Sequence, residues 1–407
     1  MFSFLFLHQV YSRSHRVLFV TDSSKDIKSY SQFIEDLESI GCVITQELTS
    51  HEEIHLQRFG EKLYDTIIIA GGNSHCFGKK IENLIEFIDE GGNAIIFHGN
   101  QSNDIQDLLY ANLSIKYQKS QIMSDIFENS SVILRRFVAP TAVVSKDPGP
   151  IVYMGSFCQI PRPNEFRFPI YTGDVEHRLP QTARLMKNSV TYGPDMIPIA
   201  AFQSRKAGRI VSIHSSTFAR DKTFSSKVTR NENYEPISVE NGNRQLMLEL
   251  SQWVTHYKSH VRFTQVTHFD PETKVAPIQY HIKQNVTVVA DLVQVKDGEW
   301  IPYDGPLQVE IFMLGTFIRR HMKMTKPGHF TETLMLPDRA GNFKIKVFTN
   351  KEGWANAREE MAIAIRPLGI REKEKFLECA QPYQISMIMI MIATFLVSVH
   401  FLYHKPA

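Results

Sequence analysis

Residues 385–403 constrain the fold most strongly, because this run contains no Asp, Glu, Lys or Arg. At 1.5 Å per residue, a helix over it reaches about the 30 Å thickness of a hydrocarbon core. Pro382 precedes the run, and His404 and Lys405 follow it. A buried core helix is the alternative, but such helices rarely end a chain with uncharged residues on every face. The run therefore predicts a transmembrane helix over 385–403, with a linker over 370–384 and a tail over 404–407.

The first twelve residues predict which side of the membrane the remaining chain occupies. They are apolar and are followed by small residues, which is typical of a short signal peptide, although no basic residue precedes the run. A lead-in to the first strand is the alternative. Arg371, Lys373 and Lys375 before the span would place the main part in the cytosol, but a cleaved signal peptide overrides that count. We therefore expect a single-pass type I protein with most of its chain luminal.

Two further sequence features, glycosylation triplets and a C-terminal lysine, bear on whether the protein resides in the endoplasmic reticulum. Candidate N-glycosylation sites of the form Asn-x-Ser/Thr occur at Asn100, Asn112, Asn129 and Asn285. They support luminal placement weakly, since chance produces a few such triplets in a chain of this length. Lys405 stands third from the C-terminus, where a lysine-based retrieval signal for the endoplasmic reticulum has one lysine. The match is partial because the expected second lysine is replaced.

Length and charge exclude several classes of protein. A chain of 407 residues predicts two or three domains. Lys and Arg total 45 against 43 Asp and Glu, which argues against a nucleic-acid binder. The four cysteines are far apart and form no CxxC pair, so they indicate neither a zinc site nor a disulfide-rich scaffold. One or two disulfides, or none, remain open.

The hydrophobic pattern predicts two luminal domains of different class. Over 13–256, apolar strands alternate with helical segments at 30–40, 81–88 and 243–254, with glycine at the junctions. This pattern predicts an α/β domain with a parallel sheet flanked by helices. A proline-rich stretch over about 137–200 predicts an irregular β-rich insertion with short strands at 142–145 and 151–154. Over 257–369, short alternating strands bounded by Gly, Pro or Asp predict an all-β, sandwich-like domain.

Catalytic motifs are weak in this sequence. Cys76 lies in a glycine-rich stretch after a strand, but it is too far past that strand for a nucleophile elbow. The glycine pairs do not form GxGxxG, and no HExxH or Asp-x-Asp motif occurs. We therefore predict no catalytic residue, no metal and no cofactor. A free-standing luminal enzyme with a site near Cys76 and a lectin-like membrane receptor are the competing functions.

Several segments, in the same order along the chain, resemble the 48 kDa subunit family of the eukaryotic oligosaccharyltransferase. They are 60–69, 87–92, 242–254, 300–305, 336–347 and 365–367. The resemblance implies a non-catalytic structural or regulatory subunit of the endoplasmic reticulum membrane. It implies a polytopic catalytic subunit and other subunits of the complex as partners, which together transfer a lipid-linked oligosaccharide to Asn-x-Ser/Thr of nascent proteins.

Small and polar residues within the span are candidates for docking a partner helix. Ala393 and Thr394 lie near its middle, and Ser398 follows one turn later. Small residues let membrane helices approach closely. The alternative is that the hydroxyl groups bond only to carbonyls of their own helix.

Overall fold

A computed structural model describes the chain over a defined set of residues. They are 15–49, 54–70, 82–98, 116–117, 122–125, 131–160, 166–179, 193–204, 206–232, 235–296, 298–349, 351–354, 357–369, 372 and 378–404, with backbone alone at 82, 116–117, 229–232, 235–240 and 378. Several predicted features lie outside these residues: the signal peptide over 1–12, Cys76, Asn100, Asn112, Asn129 and Lys405.

The described helices and strands are numbered in chain order. The helices are α1 (Ser24–Lys28), α2 (Ser31–Ser39), α3 (Glu82–Asp89), α4 (Asp221–Phe224), α5 (Asn243–Val254) and α6 (Gln381–Tyr403). The strands up to α5 are β1 (His15–Thr21), β2 (Cys42–Leu48), β3 (Gln57–Arg58), β4 (Glu61–Lys62), β5 (Thr66–Ile69), β6 (Asn93–Phe97), β7 (Lys116–Tyr117), β8 (Val132–Leu134), β9 (Arg136–Phe137), β10 (Ile151–Tyr153), β11 (Cys158–Gln159), β12 (Arg167–Thr172), β13 (Ile199–Gln203), β14 (Arg209–Ile213), β15 (Lys227–Glu232) and β16 (Glu235–Glu240). The later strands are β17 (His260–Phe269), β18 (Tyr280–His281), β19 (Asn285–Lys296), β20 (Glu299–Pro302), β21 (Gln308–Met313), β22 (Gly315–His321), β23 (Lys323–Lys326), β24 (His329–Met335), β25 (Gly341–Phe348) and β26 (Arg358–Arg366).

The first domain contains a mixed sheet of eight strands in the order β2-β1-β5-β6-β14-β13-β12-β9. The strands from β2 to β14 are parallel, as predicted, but β13, β12 and β9 pair antiparallel. The predicted parallel sheet is therefore confirmed for five strands and corrected for the other three, which make the sheet a mixed one. Only a short turn, in which the Ser204 N–H donates to the Gly208 carbonyl, joins β13 to β14. A connection this short joins antiparallel strands, whereas parallel strands need a long crossover.

Helices cover both faces of this sheet. Phe33 of α2 and Leu246, Leu250 and Trp253 of α5 are buried on one face. Leu84, Phe87 and Ile88 of α3 are buried on the other. Because both faces are covered, residues 17–20 of β1 are all apolar, and alternate side chains enter the two cores.

The second domain is a sandwich of two five-stranded sheets, which confirms the predicted all-β architecture. One sheet has the order β17-β19-β24-β23, with β20 also paired to β19; the other has the order β18-β26-β25-β21-β22. Val286, Val288, Ala290 and Leu292 alternate into the core between the sheets. The chain moves from β22 to β23 at the buried residue Met322, so the two edge strands lie on one side of the sandwich.

Two local expectations need revision. Residues 142–145, predicted as a strand, form a turn in which the Val143 N–H donates to the Pro140 carbonyl. The Val144 N–H donates to the same carbonyl, and Ala142 and Val143 lie at the contact between the two domains described below. The C-terminal helix begins at Gln381, before the predicted start, because Pro382 is compatible with the first helical turn.

Candidate functional site

Arg209, the first residue of β14, is fully buried where the two domains meet. Its Nη1 donates to the carbonyls of Trp253 and Lys258 at 2.5 and 3.0 Å, and its Nη2 donates to the Ser259 carbonyl at 2.6 Å. The guanidinium also lies over the Trp253 ring, 4.8 Å from its centroid. Burial lowers the pKa of Arg209 to about 9, which leaves the group charged at neutral pH. One side chain of the sheet thereby holds the segment that enters the second domain.

The loop between β25 and β26 returns a second set of contacts to the first domain. The Trp253 Nε1–H donates to the Gly353 carbonyl at 2.6 Å, and the Gln203 side-chain amide donates to the Trp354 carbonyl at 2.6 Å. Gly353 has a φ of 74°, and a Cβ atom there would come within 2.9 Å of Val143 Cγ2. Glycine is therefore required for this approach. We call this end of the sandwich the junction end.

An ion pair and a serine hydroxyl hydrogen bond add further contacts at the junction end. Lys258 Nζ contacts the Glu249 carboxylate, which also accepts from the Ser145 N–H at 3.1 Å. Burial raises the pKa of Glu249, but the hydrogen bonds from Lys258 and Ser145 and the Lys258 charge together outweigh burial, and the net shift is downward. The Ser259 hydroxyl donates to the Ala142 carbonyl at 2.6 Å. The turn at 142–145, α5 and the interdomain segment are thus connected by polar contacts.

Two buried histidines lie at the carboxyl ends of neighbouring parallel strands. His98 follows β6 and His214 follows β14; their rings stack with centroids 4.4 Å apart. The Ser212 hydroxyl lies 2.8 Å from His98 Nε2 and 3.3 Å from His214 Nε2. Burial, and then the neighbouring His98, lower the pKa of His214 well below its ordinary value. The pair therefore consists of buried imidazoles sharing a hydroxyl between two strands. Ligands of α/β sheets bind at this edge, but here the two rings bond to Ser212 inside the fold.

The predicted site residues of the described part of the chain lie apart from the buried polar groups. Ala393, Thr394 and Ser398 lie on α6, the one described helix that is long and apolar enough to cross a membrane. All of α6 is exposed, and the Thr394 hydroxyl donates to the Ile390 carbonyl at 2.8 Å. Asn285 is exposed at the start of β19 and lies far in sequence from the span residues. Cys42, Cys158 and Cys379 are free thiols in the described part of the chain.

Sequence reasoning missed Arg209 and the histidine pair. An arginine beginning a mostly apolar strand was a signal for the first, because a buried cation requires fixed partners. A histidine directly after each of two apolar strands was a signal for the second. Neither signal identifies the partners, which lie 44–50 residues from Arg209 and 114 residues from His98 in the sequence.

Comparisons with known proteins cover nearly the whole chain. The family description "OST48, N-terminal domain" matches residues 8–256, and "OST48 middle domain" matches residues 267–405. The Drosophila melanogaster dolichyl-diphosphooligosaccharide–protein glycosyltransferase 48 kDa subunit is 25% identical, covering 93% of this chain and 89% of its own length. The Danio rerio protein of the same name is 26% identical, covering 96% and 92%.

A ThuA-like protein of known structure from Parabacteroides merdae aligns with 60% of this chain and 90% of its own, at 10% identity and a TM-score of 0.32. The two family matches divide the chain close to the interdomain segment held by Arg209. Since these matches together extend over both domains and α6, the chain belongs to the OST48 family.

Proposed function

We propose that this chain is a non-catalytic structural subunit of an oligosaccharyltransferase complex in the endoplasmic reticulum membrane. The complex transfers a lipid-linked oligosaccharide to Asn-x-Ser/Thr of nascent proteins, and a polytopic partner supplies the catalysis. The observation that carries the proposal is the architecture: two domains joined by buried contacts and attached to one exposed apolar helix. The named relatives, which are 48 kDa subunits of that transferase, agree with it.

The use of the polar groups supports a structural role. Arg209, the Glu249–Lys258 pair and the two stacked histidines each bond to other parts of the fold. A catalytic acid or base has a pKa near the working pH and reaches its substrate. His214, in contrast, is fully buried and its pKa is far below that range. We therefore assign these groups a structural role: they stabilise the two domains and the contact between them.

A type I orientation would place both domains in the lumen and the tail after α6 in the cytosol. In that orientation Asn285 faces the compartment where glycans are attached, and its exposed side chain can carry one. Asn100, Asn112 and Asn129 would be luminal as well, and Lys405 would be cytosolic and available to a retrieval receptor. Protease added to sealed microsomes should leave the domains intact; digestion of both domains would contradict this orientation.

The span itself is proposed to dock a membrane partner through one side. At about 100° per residue, Ala393, Thr394 and Ser398 lie within a sector of about 140°. Ile392 and Val399 lie on the opposite side. Because the Thr394 hydroxyl already bonds to its own helix, close packing around these small side chains, rather than a hydrogen bond between helices, would provide the contact.

The test is recovery of partner subunits with span variants. The double variant Ala393→Leu with Thr394→Leu keeps the helix apolar, and it should reduce co-purification of the polytopic subunit in mild detergent. Ile392→Leu with Val399→Leu, on the opposite side, is the matched control and should recover wild-type amounts. Glycan transfer by the eluate should follow the recovered subunit. Purification of the wild-type chain with no partner subunit and no transfer activity would overturn the proposed function.

A further inference from the structure

The end of the sandwich opposite the junction end is defined by its strand registers. Ile365 of β26 pairs with Tyr280 of β18 and with Gly341 of β25. The β21–β22 hairpin turns at Leu314, next to the start of β25. In the other sheet, Asn285 pairs with Met335, and the Leu336 N–H donates to the Gln284 carbonyl. These strand ends and their loops form one end of the domain.

The membrane helix leaves from this same end. Beyond β26, Arg366 forms a two-bond contact with Glu372, at 3.0 Å for each bond, and the Gly369 N–H donates to Glu372 at 2.8 Å. The chain is therefore held at the domain as far as Glu372. From Glu372 to Gln381, the first residue of α6, a fully extended chain reaches at most about 32 Å. We call this end the membrane end.

Large apolar side chains are exposed in loops that adjoin the membrane end. Ile278 and Leu314 are 97% and 98% exposed, and Val275 is 63% exposed. Leu314 also has a φ of 58°, a left-handed backbone conformation that costs glycine less conformational energy than leucine. An exposed leucine at a strained turn gains nothing from packing within the domain. Its side chain is better explained by a contact outside the chain.

We propose that the loop tips at Val275, Ile278 and Leu314 insert into the luminal surface of the lipid bilayer. This inference rests on the span of the proposed function, because α6 brings the domain to the membrane. Interfacial segments bury apolar side chains about 5–10 Å into the boundary between headgroups and acyl chains. The exposed charges at this end are Lys274, Lys283 and Arg339 against Glu272, Asp338 and Glu372. With cations and acids nearly balanced, the contact depends on the apolar tips and is weakly sensitive to salt.

The test uses the full chain in vesicles of phosphatidylcholine brominated close to the headgroup, which quenches nearby tryptophan. Ile278→Trp and Leu314→Trp place the probe at the tips. Lys326→Trp is the matched control in the same sandwich: Lys326 pairs with His329, about 20 Å along β24 from Met335. Leu396→Trp in α6 reports insertion of the span. The fluorescence of the unmodified chain, with its three native tryptophans, is subtracted.

We expect about twofold quenching at positions 278 and 314 and no quenching at 326, unchanged by high salt. Equal signals at 278, 314 and 326, with quenching at 396, would overturn the membrane contact and leave the proposed function standing. Absence of quenching at 396 would mean that α6 does not insert, so both proposals would fail. The probe positions are exposed, and denaturation midpoints equal to that of the unmodified chain confirm folding.

Discussion

The two ends of the β-sandwich differ in how their surfaces are satisfied. At the junction end, a buried guanidinium, an indole N–H and a side-chain amide each bond to backbone carbonyls across the domain boundary. At the membrane end, apolar loop tips project without covering contacts in the described part of the chain. The contacts at the junction end stabilise the fold, whereas the exposed side chains at the membrane end are available to a surface outside the chain. Mutations at the two ends should therefore separate stability from membrane contact.

The largest effect is expected from Arg209→Met. The variant leaves the buried Lys258 and Ser259 carbonyls without their donor, each at a cost of about 1–3 kcal/mol, so the free energy of unfolding should fall by about 2–6 kcal/mol. The Trp253 carbonyl still accepts from the His256 N–H at 3.1 Å. Chemical denaturation of the detergent-solubilised chain measures it. Arg209→Lys keeps the charge but not the planar fork of donors, and it should recover less than half of the loss. A loss below about 1 kcal/mol for Arg209→Met would show that the junction end does not hold the domains.

Acid should weaken the junction end by a smaller, graded amount. His256 and His260 lie beside Arg209; burial first, and then Arg209, lower the pKa of both, that of His260 to about 4. Between about pH 6.5 and 4 the unfolded chain binds more protons than the folded chain, so stability falls as pH falls. The slope should reach about 1.4 kcal/mol per pH unit for each histidine.

Denaturation midpoints at pH 7.5, 6.0 and 5.0 measure this slope. The double variant His256→Gln with His260→Gln should flatten it partly, because His214 in the first domain titrates in the same direction. A slope equal to that of the wild type would assign the acid sensitivity elsewhere.

The smallest effect on stability is expected at the membrane end. Leu314→Ser removes an exposed side chain that buries nothing within the domain, so the free energy of unfolding should change by less than about 0.5 kcal/mol. The same denaturation experiment, run beside Arg209→Met, measures both ends under one condition. A loss above about 2 kcal/mol would mean that Leu314 contributes to the fold, and the contrast between the ends would disappear.

The features that local sequence determines were predicted well. Helix α5 occupies residues 243–254 as predicted, because Gly242 precedes a clear helical period. The strands of the sandwich follow from alternation bounded by turn residues. The direction of β13 was not predictable from its own apolar run, since the short turn at 204–208 sets it. The predicted strand at 142–145 was wrong because Pro140 and contacts from the second domain favour a turn.

The candidate functional surfaces were harder to predict from the sequence. The transmembrane helix was clear because its signal is a continuous uncharged run. The junction end was missed because Arg209 bonds to backbone carbonyls, which any residue can supply, so its partners leave no mark in the sequence. The membrane end was missed because Ile278 and Leu314 come from different loops, and only the strand registers place both within a few residues of that end.

Amide hydrogen exchange of the full chain tests most directly whether Arg209 holds the two domains together. In the wild type, amides at 255–260 should exchange nearly as slowly as those of β14, because the interdomain segment opens only when the junction does. In Arg209→Met, exchange should accelerate at 255–260 and at 351–354, while residues 274–283 at the membrane end keep their wild-type rates. Unchanged exchange at 255–260 in the variant would contradict the account.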